Sequence, residues 1–337
     1  MEHTAADIPN ILLPRLRRAV QSLYLLFSLY VGFKFYHFYQ WAMSGQGEPP
    51  MRPPAVEAFL PISALMGLKR LIFSGKWDPV HPAGLTIFIA VLLSALLFRK
   101  GFCGWVCPVG TLSNKLEQLG RRIRLARRLP RWLDLPLLGA KYLLLGFFVY
   151  MIFWKMDLNQ TEKLIFSPYN LAADAKMLKF FMSPSYTALA IIGGLAVLSV
   201  LIRNFWCRYL CPYGALLGLL ALAGPIQIRR DEKACTGCKS CEQVCPSSIR
   251  ITSLRSVRNC ECIGCTECTA ACPEGCLSVG AELPKVQRRF AVSRLLIPAG
   301  TILTLVAFWI WAEAAGRWQS QIPAEMFARF YRMIAGS

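Results

Sequence analysis

Histidine is scarce in this chain of 337 residues: His3, His37 and His81 are all it has. Paired axial ligands on facing helices cannot readily be built from three such positions, which argues against b-type haem. No C-x-x-C-H occurs, so c-type haem attachment has no motif. No G-x-G-x-x-G follows a strand, so the chain offers no dinucleotide fingerprint. A cleavable leader is not expected, because the apolar stretch from Ala19 is too long and no small-residue cleavage site follows it. Acidic residues are few, 19 Asp+Glu against 38 Lys+Arg, a formal charge of +19. In a soluble chain that excess would suggest nucleic acid. Beside long apolar runs it indicates basic cytoplasmic loops lying against anionic lipid, and nucleic acid is not an expected partner.

What the chain has in quantity is apolar surface and cysteine. Hydrophobic residues make up 55% of it, with a mean hydropathy of +0.41, too apolar for a soluble domain of this size. Apolar runs near 19–41, 82–100, 135–154, 186–204 and 293–312 predict five transmembrane helices. Two shorter runs, 58–73 and 213–226, contain Pro or Gly and are expected at the interface or as re-entrant segments. Arg15, Arg17 and Arg18 precede the first run, and 99–132 holds nine Lys/Arg against the single acid Glu117. Lys285, Arg288, Arg289 and Arg294 precede the last run, whereas 44–81 and 155–186 are nearly balanced. The positive-inside rule then places the N-terminus and the cysteine-rich segment in the cytoplasm and the C-terminus outside. The expected order is a cytoplasmic N-terminus over 1–18 and a four-span membrane domain over 19–226. A soluble domain over 227–284 follows, then a fifth span with a periplasmic tail over 285–337.

Two internal repeats organise the cysteines. At an offset of 104, Arg99, Phe102, Cys103, Trp105, Cys107, Pro108 and Gly110 align with Arg203, Trp206, Cys207, Tyr209, Cys211, Pro212 and Gly214. Each copy closes a pair of runs at its cytoplasmic end, as a duplicated helical hairpin would. At an offset of 27, Cys235, Cys238, Cys241, Cys245 and Pro246 align with Cys262, Cys265, Cys268, Cys272 and Pro273. Ten of the fourteen cysteines fall between Cys235 and Cys276 at metal-ligand spacing, which indicates a reducing compartment rather than disulfides.

The two C-x₂-C-x₂-C-x₃-C-P runs resemble bacterial-type ferredoxins, in which the fourth cysteine of each run serves the other cluster. That resemblance implies one 4Fe–4S cluster on Cys235, Cys238, Cys241 and Cys272, and a second on Cys262, Cys265, Cys268 and Cys245. A pair of structural zinc sites is the alternative. Cys260 and Cys276 are left over and read as packed or free thiols.

Cys103-x₃-Cys107-Pro and Cys207-x₃-Cys211-Pro place two thiols one helical turn apart, with a proline that ends or bends the turn. Paired motifs of this kind ahead of a twin-cluster ferredoxin segment resemble the NapH/NosR/CcoG group of membrane polyferredoxins, over residues 19–312. The resemblance implies an all-α polytopic membrane protein, about five helices in a duplicated hairpin, with an inserted α+β ferredoxin-like domain carrying two 4Fe–4S clusters. It implies the bacterial inner membrane, a role as an electron-transfer protein or quinol-dehydrogenase subunit, a redox partner protein and a quinone. The short NapH-like form fits best, here with a fifth span; the flavin domain of NosR-type proteins is not expected. Cys103, Cys107, Cys207 and Cys211 would together suit a third 4Fe–4S cluster. A zinc staple, a reversible dithiol pair and four buried thiols remain alternatives.

For the quinone, His37 among Tyr36, Tyr39 and Trp41, and His81 after Trp77 and Asp78, are candidates on the outer side. Their plainer reading is an aromatic belt and a hydrated loop histidine. A quinone serving the cysteines directly is expected near Trp105, Tyr209 and Tyr213. Besides electron transfer, a metal-reducing assembly factor and a membrane redox sensor are the functions to weigh; ten methionines without a Met-rich tract give the assembly factor no support.

Overall fold

The structure, a computed structural model, describes residues 9–282 and 289–335. His3, Lys285 and Arg288 lie outside them. The fold is mostly helical. Its helices are α1 Leu12–Ser44, α2 Pro61–Ser74, α3 Pro82–Phe98, α4 Pro108–Arg122, α5 Arg131–Val149, α6 Leu158–Ile165 and α7 Pro168–Leu171, then α8 Ala173–Met182, α9 Tyr186–Leu201, α10 Pro212–Ala223, α11 Ser240–Val244, α12 Glu267–Ala270, α13 Leu296–Ala314 and α14 Ala324–Ala335. Each of the five long apolar runs is helical, within α1, α3, α5, α9 and α13. By length and composition, among the described residues, two helices can cross a membrane, Arg131–Lys155 and Leu296–Ala314. A third joins them if Ala173–Met182 and Tyr186–Leu201, bent by 80°, form one span. The 33-residue α1 is long enough but is interrupted by Gln21, Lys34 and Gln40.

The chain forms two compact units, and every boundary between them falls inside a helix: α1, α3, α5, α9 and α13. The first unit holds residues 1–25, 91–145 and 194–304. It contains an antiparallel sheet of β1 Ile226–Arg230, β2 Leu277–Glu282 and β3 Arg289–Val292, with β2 central. Ile228 pairs with Val279, and both are buried; Gln227 is buried too, so β1 is covered on both faces over its first three residues. The short helices α11 and α12 carry the third and fourth cysteines of the two ferredoxin runs at or just beyond their ends.

Both C-x₃-C segments depart from the α-helical turn their spacing predicts. Phe102–Val106 and Trp206–Leu210 are π-turns, closed by Cys107 N–H to the Phe102 carbonyl at 2.9 Å and Cys211 N–H to the Trp206 carbonyl at 3.0 Å. One extra residue per turn widens the loop between the two cysteines. Pro108 and Pro212 do not end these turns; each is the first residue of the next helix, with Cys107 or Cys211 extended at its N-cap.

The second unit holds residues 26–90, 146–193 and 305–337. Its core is polar as well as apolar. Arg52 pairs with Glu57 at 2.7 Å and with Asp174 at 2.7 Å, and the Tyr331 hydroxyl on α14 donates to Asp174 at 2.8 Å. Buried ions of this kind persist only when paired and hydrogen-bonded. Lys69 donates to the carbonyl of Ile152 at 2.7 Å and to that of Met156, groups left free by the π-turn Tyr150–Lys155 that follows α5.

Candidate cluster sites

The first unit gathers thirteen cysteines around three cavities. Cys235, Cys238, Cys241 and Cys272 line one, with Cys276 beside them. Cys245, Cys262, Cys265 and Cys268 line a second. Cys103, Cys107, Cys207 and Cys211 line a third, together with Phe102, Trp206 and Tyr213. The grouping matches the crossed pattern implied by the ferredoxin resemblance, with Cys245 and Cys272 each serving the other run's set. Among the described residues no three His, Cys, Asp or Glu side chains converge closely enough to clasp a single ion, so each foursome surrounds a space rather than a point.

Local backbone explains how the sulfurs come together. Gly237 and Gly264 take φ of +72° and +63°, and the residues two places on, Lys239 and Thr266, take +60° and +58°. The repeat at offset 27 is therefore a repeat of backbone turns as well as of residue types. Left-handed residues in close succession curl the chain around each cavity, which a glycine permits at low cost. In the third cavity the N–H of Gly110 donates to Cys107 Sγ at 3.5 Å and that of Gly214 to Cys211 Sγ at 3.3 Å. Amide donors aimed at sulfur suit a negatively charged thiolate set.

Electrostatics speak against a working dithiol. Burial pushes the thiols of Cys103, Cys107 and Cys207 up to about 12 and that of Cys245 to about 11. Such thiols stay protonated near neutral pH unless a bound cation offsets the cost. Cys235 and Cys238 differ: hydrogen bonding lowers both thiols, from the Gly237 backbone at Cys235 and from Ser240 at the exposed Cys238. Cys276 sits 3.3 Å from Cys272 sulfur to sulfur, while Cys260 lines none of the three cavities and lends its carbonyl to Lys100 at 3.1 Å.

The third cavity abuts the second. Ser247 and Ile263 line both. The Trp105 indole donates to the Gly264 carbonyl at 3.0 Å, and Arg17 and Gln21 each hold the Gly104 carbonyl at 3.0 Å. Arg17 also pairs with Glu267 at 2.5 Å. In the second repeat Asn204 donates to the Pro246 carbonyl at 3.2 Å and Arg208 donates to that of Ser247. A Cβ on Gly104 would collide with the Ile263 carbonyl, so only glycine admits this approach.

The histidines go elsewhere. His37 is exposed on α1, edge-on to Phe33 at 4.5 Å between ring centres. His81 is not a hydrated loop residue, because its exposure is 0%. Its Nε2 lies 3.0 Å from the Asn170 carbonyl and its Nδ1 lies 3.4 Å from Glu57, a charge contact too poorly aligned for a hydrogen bond. Asp78 accepts the backbone N–H groups of Val80 and His81 at 2.8 and 3.1 Å. Arg52, Glu57, Asp174 and Tyr331 had no signal in the sequence, since Arg52 and Glu57 meet Asp174 and Tyr331 only in the fold.

A family model described as a 4Fe-4S binding domain matches residues 80–126 and 184–230, and one described as a 4Fe-4S dicluster domain matches 227–273. YccM of Escherichia coli, named as a candidate electron transport protein, is 38% identical over 93% of this chain and 88% of its own length. The chain belongs to the NapH/NosR-like family of ferredoxin-type membrane proteins. Its relatives include the ferredoxin-type protein NapH of Haemophilus influenzae, 30% identical over 50% of this chain and 55% of NapH. The regulatory protein NosR of Pseudomonas aeruginosa is 26% identical over 69% of this chain and 30% of NosR. No solved structure matches this ferredoxin-type protein. The two segments matched by the first model begin at 80 and 184, the same offset of 104 as the internal repeat. Iron–sulfur electron transfer is therefore its chemistry.

Proposed function

We propose that this ferredoxin-type protein links the membrane quinone pool to a partner reductase through three 4Fe–4S sites. The observation that carries the reading is the wall of Ser247 and Ile263 shared by the cavity of the paired C-x₃-C-P motifs and the second ferredoxin cavity. A 4Fe–4S cluster, when bound, supplies one-electron transfer at a potential set by its surroundings. The chain's own residues would hold three in order. Cys103, Cys107, Cys207 and Cys211 form the membrane end, and Cys245, Cys262, Cys265 and Cys268 the middle. Cys235, Cys238, Cys241 and Cys272 form the outer end. The outer set includes the exposed Cys238, beside Arg230 and Lys239, where an acidic redox partner would approach.

Phe102, Trp206 and Tyr213 flank the membrane-end cavity and offer an apolar aromatic seat for a quinone ring. His81, buried between Glu57 and the Asn170 carbonyl, does not serve it. Five helices crossing the bacterial inner membrane, with the N-terminus inside and the C-terminus outside, accord with the basic loop 99–132 and with five unit boundaries that each fall within a helix. Reporter fusions after Leu283 and after Ser337 test this. The first should be active as a cytoplasmic reporter and the second only as an exported one.

The functional test is anaerobic addition of a membrane quinol to the purified holoprotein. The reading expects the visible iron–sulfur absorbance to bleach, and Tyr213→Ala to slow bleaching with its iron retained. Failure of every membrane quinol and quinone to exchange electrons would sever the quinone from this reading.

A further inference from the structure

Apart from the cysteine cavities, the first unit contains a cavity of about 350 Å³ formed by residues of 127–138, 202–209 and 247–261. Six arginines line it, Arg127, Arg128, Arg131, Arg203, Arg208 and Arg250, against the carboxylates of Asp134 and Glu261. Both carboxylates are already engaged. Asp134 accepts from Arg208 Nε at 3.1 Å, from Arg208 Nη2 at 2.8 and 3.0 Å and from the Tyr209 hydroxyl at 2.5 Å. Glu261 accepts from Lys141 at 2.5 and 2.7 Å and from Tyr142 at 3.1 Å.

The remaining guanidinium groups have little to neutralise them. Arg128 reaches the Glu242 carbonyl and Arg203 the Gln243 carbonyl, both uncharged acceptors. Arg203 Nε is buried without a hydrogen bond, 3.9 Å from Glu117, and its charge is opposed by that of Arg128. Arg127 and Arg131 make no side-chain hydrogen bond or ion pair among the described residues. Like charges gathered around a concavity repel one another, and an anion bound at their centre reverses the sign of the interaction. Planar guanidinium forks match phosphate oxygens in particular.

Apolar side chains share the lining with these arginines. Leu129, Leu135 and Leu138 are among them, and Arg131 begins the candidate span Arg131–Lys155, where Trp132 is exposed in the first turn. An interfacial aromatic, a basic pocket and an apolar rim at the end of a span suit an amphiphile with a phosphate head. We propose that this cavity binds a phosphate-bearing anion, and that its apolar rim favours the headgroup of an acidic membrane lipid over free phosphate. The placement of the rim at a lipid boundary rests on Arg131–Lys155 crossing the membrane. The anion site itself rests on the arginines alone.

The test uses the full-length holoprotein in an uncharged detergent and follows its thermal unfolding midpoint. Added phosphatidylglycerol should raise the midpoint saturably, and phosphatidylcholine should leave it unchanged. In R127Q/R131Q the concentration of phosphatidylglycerol giving half the shift should rise at least about tenfold. The remote pair R329Q/R332Q, in the second unit, should respond as the parent does. If R127Q/R131Q loses its iron, R250Q is read in its place, with a rise of a few-fold expected. An equal shift from inorganic phosphate at the same concentration supports the anion site and assigns it to a soluble phosphate, overturning the lipid source. No shift from either anion overturns the proposal, as does an unchanged response in the lining variants or an equal loss in the remote pair.

Discussion

The indole N–H of Trp105 donates to the carbonyl of Gly264 at 3.0 Å, joining the first C-x₃-C turn to the ferredoxin loop between Cys262 and Cys265. Both groups are buried, and the residue before Trp105 is the glycine whose backbone lies against Ile263. This hydrogen bond and this steric requirement join those of Arg17, Gln21, Asn204 and Arg208 in setting the seam between the two cysteine cavities.

Trp105→Phe keeps the aromatic body and leaves the Gly264 carbonyl without this donor. It should destabilise the holoprotein by about 1–3 kcal/mol. It should also shift the potential of the ferredoxin cluster held by Cys265, with the iron content unchanged. Gly104→Ala forces the seam apart and should do more, lowering iron content as well. Denaturant titration, redox-poised EPR and iron analysis check both.

Lys141 and Glu261 form a buried pair, with exposures of 0% and 7%. Lys141→Met removes the ion-pair partner of Glu261 and leaves it with the Tyr142 hydroxyl, the Cys260 thiol and the more distant charges of Lys100 and Arg208, and should cost about 3 kcal/mol. Adding Glu261→Gln should restore most of that loss, because the uncompensated charge is then gone. The four unfolding free energies of the double-mutant cycle report the coupling.

His81 gives the second unit a pH dependence. Burial alone would discharge the ring, but the Glu57 carboxylate outweighs it and holds the His81 pKa above 6.5. Glu57 itself is held below 4.5: burial would raise it, and the charge of Arg52 outweighs that. The His81 contribution is full below the unfolded value and is lost as pH rises through the raised native value. The Glu57 contribution is present above its unfolded value and is lost as pH falls through the lowered one. The unfolding midpoint should fall as pH rises above 6.5 and through the raised native value, and His81→Gln should remove that slope. A slope that persists in the variant places the titrating group elsewhere.

What the sequence revealed and what it hid follow from the range of each interaction. Thiolate ligation fixes spacing along the chain, so Cys235, Cys238 and Cys241 declare themselves, and the repeat at offset 104 pairs Cys103 with Cys207 by spacing alone. The π-turns were not legible, since an α-turn and a π-turn differ by one hydrogen-bond register over the same five residues. Arg52, Glu57, His81, Asp174 and Tyr331 meet from across the whole chain, and nothing local to His81 marks it as buried. Arg127, Arg128 and Arg131 read as part of a lipid-facing basic loop. Only the fold shows that they enclose a cavity with Arg203 and Arg250.

Iron counting tests the account at its centre, because it asks whether Cys103, Cys107, Cys207 and Cys211 act as one ligand set. The anaerobically purified parent should hold about twelve irons, four for each of three clusters. Cys103→Ser and Cys207→Ser, made separately, should each lose about four and spare both ferredoxin EPR signals. Parent iron near eight, unchanged in both variants, would contradict the shared cluster.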